Sequence, residues 1–273
     1  MTTKQLSEKA NEIRAFAVTM IHNAQTGHTG GAMSVCDILT ALFYDVMDFG
    51  PENVTSFERD RFFLSKGHSC EPYYAILGDK GFFPRSELAA FSKAGSPIIG
   101  HPNNSVNGVE VCTGALGHGL PVAVGAALGA KRTGKSYRTF VVMGDGEQAE
   151  GSIWEAAMAA ANYRLDNLWA VVDRNGLQIS GPTEDVMALD KLSEKYSAFG
   201  WDVFEANGND MQALLEYFHS ERPKGKPHML IARTVKGKGL PFAENKAEWH
   251  HKVPTEEQLK EAYGALGVRE VRF

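Results

Sequence analysis

The segment RTFVVMGDGEQAEGSIWEAAMAAANYRLDNLWAVVDRNGLQ, residues 138–178, decides the fold of this chain. An apolar run rich in β-branched residues stops at Gly144-Asp145-Gly146, and small and apolar residues at helical spacing follow it. A second apolar run, residues 168–172, ends at Asp173-Arg174-Asn175-Gly176. The pattern predicts strand, glycine turn, helix and strand, with both loops at the carboxyl ends of parallel neighbours. Ligands of open α/β sheets bind at that edge.

The glycine turn is suited to an anion. Gly144 and Gly146 let the backbone approach a ligand closely, and the helix that follows should offer unpaired N–H groups and a positive dipole end. A phosphate group therefore fits the turn. We expect both glycines to contact the ligand.

The charges beside the turn favour a metal-bridged ligand. Asp145, Glu147 and Glu150 crowd the turn, and no lysine or arginine is near them in the sequence, so a bare diphosphate would be repelled. Mg²⁺ prefers about six oxygen ligands, often one or two carboxylates or amides together with phosphate oxygens. Asp145, the amide of Asn175 and the backbone carbonyl of Leu177 are the predicted protein ligands.

A dinucleotide site is the alternative for the same segment. The pattern Gly144-x-Gly146-x-x-Ala149 satisfies the dinucleotide fingerprint, and Asp173 ends the next strand where a ribose-binding acid would belong. The acidic residues of the turn oppose this alternative, because a dinucleotide site places its pyrophosphate directly on the helix terminus without a metal. Both alternatives stay open on these residues alone.

Length and composition describe an ordinary α/β protein. The chain has 273 residues, 43% of them hydrophobic and 22% charged, with a net charge of −5, which suggests neither nucleic acid nor a membrane as partner. Its three cysteines form no CxxC pair, which is typical of reduced thiols in a cytoplasmic protein. The first helix is too charged for a signal peptide. We expect one domain over residues 1–273.

Strand and helix patterns alternate along most of the chain. The predicted helices cover residues 5–25, Ser34 through Tyr44, two short segments within 71–91, and 119–132, 188–198 and 210–219; the further strands cover 61–64, 201–205 and 228–233. A long, glycine-rich stretch over 95–118 has no such pattern, and long loops of this kind are usually functional. This alternation predicts an α/β fold with a mostly parallel central sheet and helices on both faces.

Four histidines directly follow a glycine. They are His28, His68, His101 and His118. Because they stand in predicted turns and their spacing fits no zinc motif, we interpret them as hydrogen-bonding partners of phosphates and sugar hydroxyls.

The chain resembles the transketolase family of thiamin diphosphate enzymes. Gly144-Asp145-Gly146 followed about thirty residues later by Asn175 is the mark of thiamin diphosphate enzymes. Five further motifs resemble successive transketolase signatures: TGHTGGAMS at 26–34, LSKGHS at 64–69, GHPNN at 100–104, GVEVCTGALGHGL at 108–120 and TVKGKGLPFAENKAEWHH at 234–251. The resemblance implies a thiamin diphosphate-binding fold with bound Mg²⁺, or Ca²⁺ or Mn²⁺ in its place.

The resemblance also implies roles for individual residues. His68 matches the histidine that contacts the cofactor diphosphate, and Gly114 with Leu116 matches the loop that holds the cofactor rings. His28 and His101 match catalytic histidines that face the substrate.

Further matches lie near the end of the chain and in the central segment. His250 matches another active-site histidine near the diphosphate and substrate, with His251 as the alternative one residue away. Glu150 matches a glutamate at the subunit interface that faces the cofactor-activating glutamate of the partner. Lys238 would help neutralise ligand charge, and His118 stands where the family usually has glutamine.

The family's second, pyrimidine-binding domain is not in this sequence. The resemblance therefore implies the N-terminal subunit of a split transketolase, completed by a separate C-terminal subunit in an α₂β₂ assembly. Such an enzyme transfers a two-carbon ketol unit from a ketose or ketose phosphate to an aldose or aldose phosphate. The alternatives are an α-type subunit of a 2-oxo acid dehydrogenase, a relative of 1-deoxyxylulose-phosphate synthase, or a dinucleotide-binding protein.

Overall fold

Five short apolar segments form one parallel sheet in the computed structural model, which describes residues 1–273. The strands are β1 (Arg61–Leu64), β2 (Thr139–Gly144), β3 (Leu168–Arg174), β4 (Asp202–Asn207) and β5 (His228–Arg233), in the order β1-β2-β3-β5-β4. All neighbouring strands are parallel. Gly144 at the end of β2 lies opposite Asp173 near the end of β3, so the loops that follow these strands share one edge of the sheet.

Helices cover both faces of the sheet. They are α1 (Thr3–Ala24), α2 (Thr29–Ala41), α3 (Cys70–Lys80), α4 (Gly119–Arg132), α5 (Gly151–Asn162), α6 (Thr183–Val186), α7 (Leu192–Ala198), α8 (Met211–His219) and α9 (Glu256–Leu266). Successive strand residues point to opposite faces. Phe140 and Val142 of β2 therefore join the core beneath α1, α2, α3 and α8, whereas Val141 and Met143 join the core beneath α4, α5 and α7. The predicted fold class is confirmed.

A third apolar cluster fixes the segment that follows the sheet. It joins α1, α2 and α9 to residues from Leu240 to Trp249, and the indole of Trp249 is buried. The backbone carbonyl of Trp249 lies so close to α2 that a Cβ at Gly30 would be 2.9 Å from it. This packing brings His250 and His251 to the amino-terminal end of α2.

Several predicted bounds were right and others were wrong. The strands at 61–64 and 228–233 and the helix at 119–132 have the predicted bounds. The helix expected from Ser34 begins instead at Thr29, because Gly30 and Gly31 pack tightly in its first turn and Ser34 donates to Asp173 rather than capping.

Two helical segments also differ from expectation. The helix predicted over 188–198 begins at Leu192, with the short α6 before it, and the second segment within 71–91 is a 3₁₀ helix, Arg85–Ala90. Every helix is too short or too polar to span a lipid bilayer. The single domain over residues 1–273 stays a prediction.

Candidate active site

A pocket of about 340 Å³ opens where β1, β2 and β3 end. Most of the predicted site residues line it, although they come from distant parts of the sequence: His68, Gly114, Leu116, Gly144, Asp145, Gly146, Asn175, Leu177 and His250. The remaining lining residues are Gly31, Lys66, Glu147, Gln178, Ile179, Ser180 and Lys236. Because the sheet is parallel, the strand ends alone bring the central segments together.

Asp145 follows β2 and is held rigidly. Its Oδ2 accepts hydrogen bonds from the backbone N of Gly176 at 2.7 Å, from Nη1 of Arg174 at 3.2 Å and from Oγ1 of Thr183 at 3.3 Å. Its Oδ1 accepts only from the backbone N of Gly146, at 2.7 Å. A carboxylate oxygen can accept two or more bonds, so Oδ1 retains capacity for a cation.

Asn175 and Leu177 follow β3 and present oxygens to the same pocket. Oδ1 of Asn175 accepts from the backbone N of Leu177 at 3.2 Å. The carbonyl of Leu177 accepts from Nζ of Lys236 at 2.9 Å, so this oxygen already contacts a cationic group. No cluster of three or more His, Cys, Asp or Glu side chains has metal-binding geometry. Asp145, Asn175 and Leu177 together offer one carboxylate, one amide and one carbonyl oxygen.

Two buried lysines give the pocket positive charge. Lys66 forms an ion pair with Asp173 and donates to the carbonyl of Gly31 at 3.1 Å. Nζ of Lys236 lies 3.0 Å from Nδ1 of His250. Burial, together with the charge of Lys66, lowers the pKa of Lys236 to about 8, so this lysine remains mostly charged at neutral pH.

The expectation that no cation lies near the acidic turn was wrong. It considered only neighbours in the sequence, whereas the fold brings Arg174 onto Asp145 and places Lys66 and Lys236 in the pocket wall. Lys238, the lysine predicted to neutralise ligand charge, is partly exposed, lies 3.8 Å from Glu244 and does not line the pocket. Lys66 directly precedes Gly67-His68, and this position was the signal that sequence reasoning missed.

Asp173 has a structural role. It is fully buried, and its carboxylate accepts from Oγ of Ser34 at 2.6 Å and from the side chains of Lys66 and Thr234. No oxygen of this carboxylate faces solvent or the pocket. In the dinucleotide alternative Asp173 would bind a ribose hydroxyl, and the complete burial of its carboxylate argues against that alternative.

Glu147 joins three walls of the pocket. Its Oε1 accepts from the hydroxyl of Ser65 after β1 and, at 2.8 Å, from the backbone N of Gly117, while its Oε2 accepts from the backbone N of Gly144 at 3.0 Å. Burial raises the pKa of this carboxyl group. The sequence suggested that Glu147 would repel an anion; its bonds show that it connects the glycine loop to two strand ends.

A short turn separates the glycine loop from the helix that follows it. A 3₁₀ turn, Gly146–Ala149, comes first, and α5 begins at Gly151, outside the pocket lining. The expected contribution of this helix to phosphate binding stays a prediction. Glu150 precedes α5 as an exposed residue and does not line the pocket.

A cluster of histidine rings borders the pocket. The ring of His28 lies 5.4 Å from that of His68, 5.8 Å from His101, 5.7 Å from His250 and 4.7 Å from His251, measured between centroids. The rings of His68 and His250 stack at 5.2 Å. Three glycine loops and the segment after Trp249 thus converge at one place.

Burial keeps the imidazoles of His28, His68, His101 and His250 neutral. It lowers the pKa of His28 to about 4 and that of His250 to about 3, with further lowering by neighbouring histidines and lysines. It also lowers the pKa of His68 and His101. A neutral imidazole both donates and accepts a hydrogen bond, which suits hydroxyl groups. Nδ1 of His28 is buried without a partner.

The remaining predicted histidines lie farther from the pocket. His251 is exposed and does not line the pocket, whereas His250 does, so the geometry favours His250 of the two. His118 is exposed, and its Nδ1 lies 3.0 Å from the carbonyl of Leu116.

Comparison with known proteins identifies the family of the chain. The family model described as "Transketolase, thiamine diphosphate binding domain" matches residues 5–273. The chain is 48% identical to an apulose-4-phosphate transketolase subunit of Phocaeicola vulgatus, over 99% of this chain and 95% of that protein. It is 38% identical to the 6-deoxy-6-sulfo-D-fructose transketolase subunit SqwG of a Clostridium species, over 96% of both proteins.

Solved structures of the same family have the same fold as this chain. Transketolase from Campylobacter jejuni superimposes with a TM-score of 0.92 at 30% identity, over 99% of this chain and 44% of that chain. The chain thus spans less than half the length of that transketolase. Because the family model matches almost the whole chain and two relatives have nearly the same length, the chain belongs to the transketolase family, as its thiamin diphosphate-binding domain.

Proposed function

We propose that this chain is the cofactor-binding subunit of a two-subunit transketolase. The observation that carries the proposal is the pocket in which Asp145, Asn175 and Leu177 present oxygens beside two buried lysines. Two relatives of nearly the same length are named as transketolase subunits. The enzyme would transfer a two-carbon ketol unit from a ketose phosphate donor to an aldose phosphate acceptor.

The oxygen donors fit a divalent metal ion. Asp145, Asn175 and the carbonyl of Leu177 would hold Mg²⁺, or Ca²⁺ or Mn²⁺, together with diphosphate oxygens. The free capacity of Oδ1 of Asp145 supports this assignment, as does the cationic group of Lys236 at the Leu177 carbonyl. The ammonium of Lys236 would add positive charge beside the diphosphate.

The rest of the pocket fits the anionic part of thiamin diphosphate. His68, His250 and the two lysines would bind the diphosphate, while Gly144 and Gly146 allow its close approach. Gly114 and Leu116 would contact the cofactor rings. When bound, thiamin diphosphate supplies the nucleophilic carbon that accepts the two-carbon fragment of a ketose.

The histidine cluster would bind and orient the sugar. His28 and His101 are neutral at physiological pH, so each can donate one hydrogen bond to a hydroxyl and accept another. His250, which contacts both Lys236 and the ring of His28, would link the diphosphate region to the sugar region. These three histidines would move protons between sugar hydroxyls and the reacting atoms.

A second polypeptide would complete the site. The relative from Phocaeicola vulgatus is named as one subunit of its transketolase, which supports a separate partner chain for this protein. We propose an α₂β₂ assembly in which the exposed Glu150 faces the partner's cofactor-activating glutamate. All three cysteines are free thiols, which fits a cytoplasmic location.

Reconstitution tests the proposed function. The chain is mixed with its partner subunit, thiamin diphosphate and Mg²⁺, and new ketoses are detected by mass spectrometry. Apulose 4-phosphate and 6-deoxy-6-sulfofructose, taken from the names of the relatives, are the first donors to try. Ketol transfer should require both chains. Transfer by this chain alone, or no transfer by the pair with any ketose donor, would contradict the proposal.

A further inference from the structure

Glu71 is a buried acid beside the histidine cluster that the proposed function does not use. It lies in the first turn of α3, and its side chain is fully inaccessible to solvent. An acidic residue in the first turn of a helix is usually exposed and stabilises the helix through its attraction to the positive end of the helix dipole. Complete burial of a carboxyl group is unfavourable unless hydrogen bonds or charged partners compensate for the lost water.

The contacts of Glu71 lead to His28. Its Oε1 accepts a hydrogen bond from the backbone N of His28 at 2.9 Å. The preceding residue, Gly27, has a φ of +150° and passes so close that a Cβ there would lie 2.7 Å from Oε1 and 2.6 Å from Cγ1 of Ile21. The loop before α2 is therefore pressed against the carboxyl group, with glycine as the residue that permits it.

The second oxygen of the carboxyl group is unpartnered. Oε2 of Glu71 is buried and makes no hydrogen bond. Nδ1 of His28 is likewise buried without a hydrogen-bond partner. Burial raises the pKa of Glu71 to about 7, and the bond from His28 and the charge of Lys66 oppose this rise. Burial raises the pKa of the neighbouring Cys70 and Tyr74, and the charge of Glu71 adds to both shifts.

We propose that Glu71 is a positioning residue, which holds the main chain of His28 and thereby fixes the imidazole of His28 within the histidine cluster. The hydroxyl of Thr29 donates to the carbonyl of Lys252 at 2.6 Å and anchors the next residue. Glu71 is the side chain that bonds the backbone of His28 itself. The importance of this placement for catalysis rests on the proposed role of His28 in sugar binding, whereas the placement itself does not.

Two variants separate the hydrogen bond from packing. Glu71→Gln keeps an oxygen acceptor for His28 and places its amide nitrogen at the unpartnered Oε2 position. Glu71→Leu fills a similar volume without an acceptor. The full chain is labelled with ¹⁵N-histidine, which gives nine backbone amide signals, and the His28 signal is assigned by its loss in His28→Asn.

The wild-type titration provides the first measurement. Between about pH 5 and 9, the amide proton of His28 should shift as Glu71 ionises, because a carboxylate accepts a stronger hydrogen bond than a carboxylic acid. The shift should be absent in Glu71→Gln. A His28 amide signal that titrates equally in Glu71→Gln, or that has the same position in both proteins at every pH, would overturn the proposal. This comparison needs no Leu variant and is decisive even if that variant does not fold.

The imidazole and the cofactor provide the second and third measurements. The side-chain ¹⁵N signals of His28 should move in Glu71→Leu and keep their wild-type positions in Glu71→Gln; unchanged signals in folded Glu71→Leu would refute the positioning role. Thiamin diphosphate binding with Mg²⁺, measured by calorimetry, should stay within about twofold of wild type in Glu71→Gln. If the His28 signals behave as expected but the wild-type chain does not bind the cofactor, only the proposed function is refuted.

In the assembled enzyme, Glu71→Leu should raise the KM of the donor sugar by about tenfold or more while Glu71→Gln remains near wild type. Equal effects of the two variants on KM would contradict the positioning role.

Discussion

Replacement of Asp173 with asparagine should destabilise the protein by about 3–5 kcal/mol, because it leaves the ammonium of Lys66 buried without its counter-ion. The side chains of Lys66 and Asp173 are 2% and 0% exposed, so water cannot solvate the ammonium of Lys66 once the carboxylate is gone. Asparagine keeps one oxygen that can accept from Ser34 or Thr234, and each such neutral bond contributes only about 0.5–1.5 kcal/mol. The unpaired charge therefore dominates the expected loss.

Urea unfolding, followed by tryptophan fluorescence, measures this effect. Four proteins complete a double-mutant cycle: wild type, Asp173→Asn, Lys66→Met and the double variant. Because the double variant contains no buried charge at this position, it should be more stable than either single variant. Glu194→Gln, which breaks an exposed pair with Lys191, is the control and should cost less than about 1 kcal/mol. A loss below about 1 kcal/mol in Asp173→Asn, or a double variant no more stable than the single ones, would refute the reasoning.

Three further predictions concern the pocket. Asp145→Ala should abolish the Mg²⁺ dependence of thiamin diphosphate binding in calorimetry, because it removes the only carboxylate among the proposed ligands. The control, Glu155→Ala on the exposed side of α5, should bind as wild type does. Mg²⁺-dependent binding by Asp145→Ala would contradict the metal assignment. Lys236, with its pKa lowered to about 8, loses its charge as pH rises. The ratio of the wild-type affinity for inorganic pyrophosphate to that of Lys236→Gln should therefore fall by about tenfold between about pH 7 and 9. A constant ratio would exclude this lysine as an anion contact. Gly114 has a φ of +140°, and a Cβ there would lie 2.8 Å from Cδ2 of His101, so Gly114→Ala should lower stability in thermal unfolding by about 1–3 kcal/mol; an unchanged midpoint would show that the loop adapts freely.

The fold could be predicted because its determinants are local. The apolar runs that end at Asp145 and Asn175 have the length and composition of buried parallel strands, and helical patterns alternate with them. Parallel strands place their carboxyl ends at one edge, so the proximity of these two residues followed from topology alone. The family motifs then located most of the pocket residues.

The electrostatics could not be predicted because they depend on distant neighbours. Asp145 appeared to lie in an acidic turn, but Lys66 and Lys236 reach the same pocket from other loops. The burial of Asp173 depends on Ser34 and Thr234, which belong to opposite ends of the chain. The start of α2 was missed because Gly30 and Gly31 suggested a loop, whereas close packing requires small residues in that helix.

The bonds of Glu147 have a consequence for the order of assembly. The side chain of Glu147 bonds Ser65, Gly117 and Gly144 to each other within a single polypeptide. A receptor whose loops are already immobile loses little conformational entropy when it captures its ligand. In the proposed two-subunit enzyme, we therefore expect the lone subunit to bind its coenzyme before the partner docks.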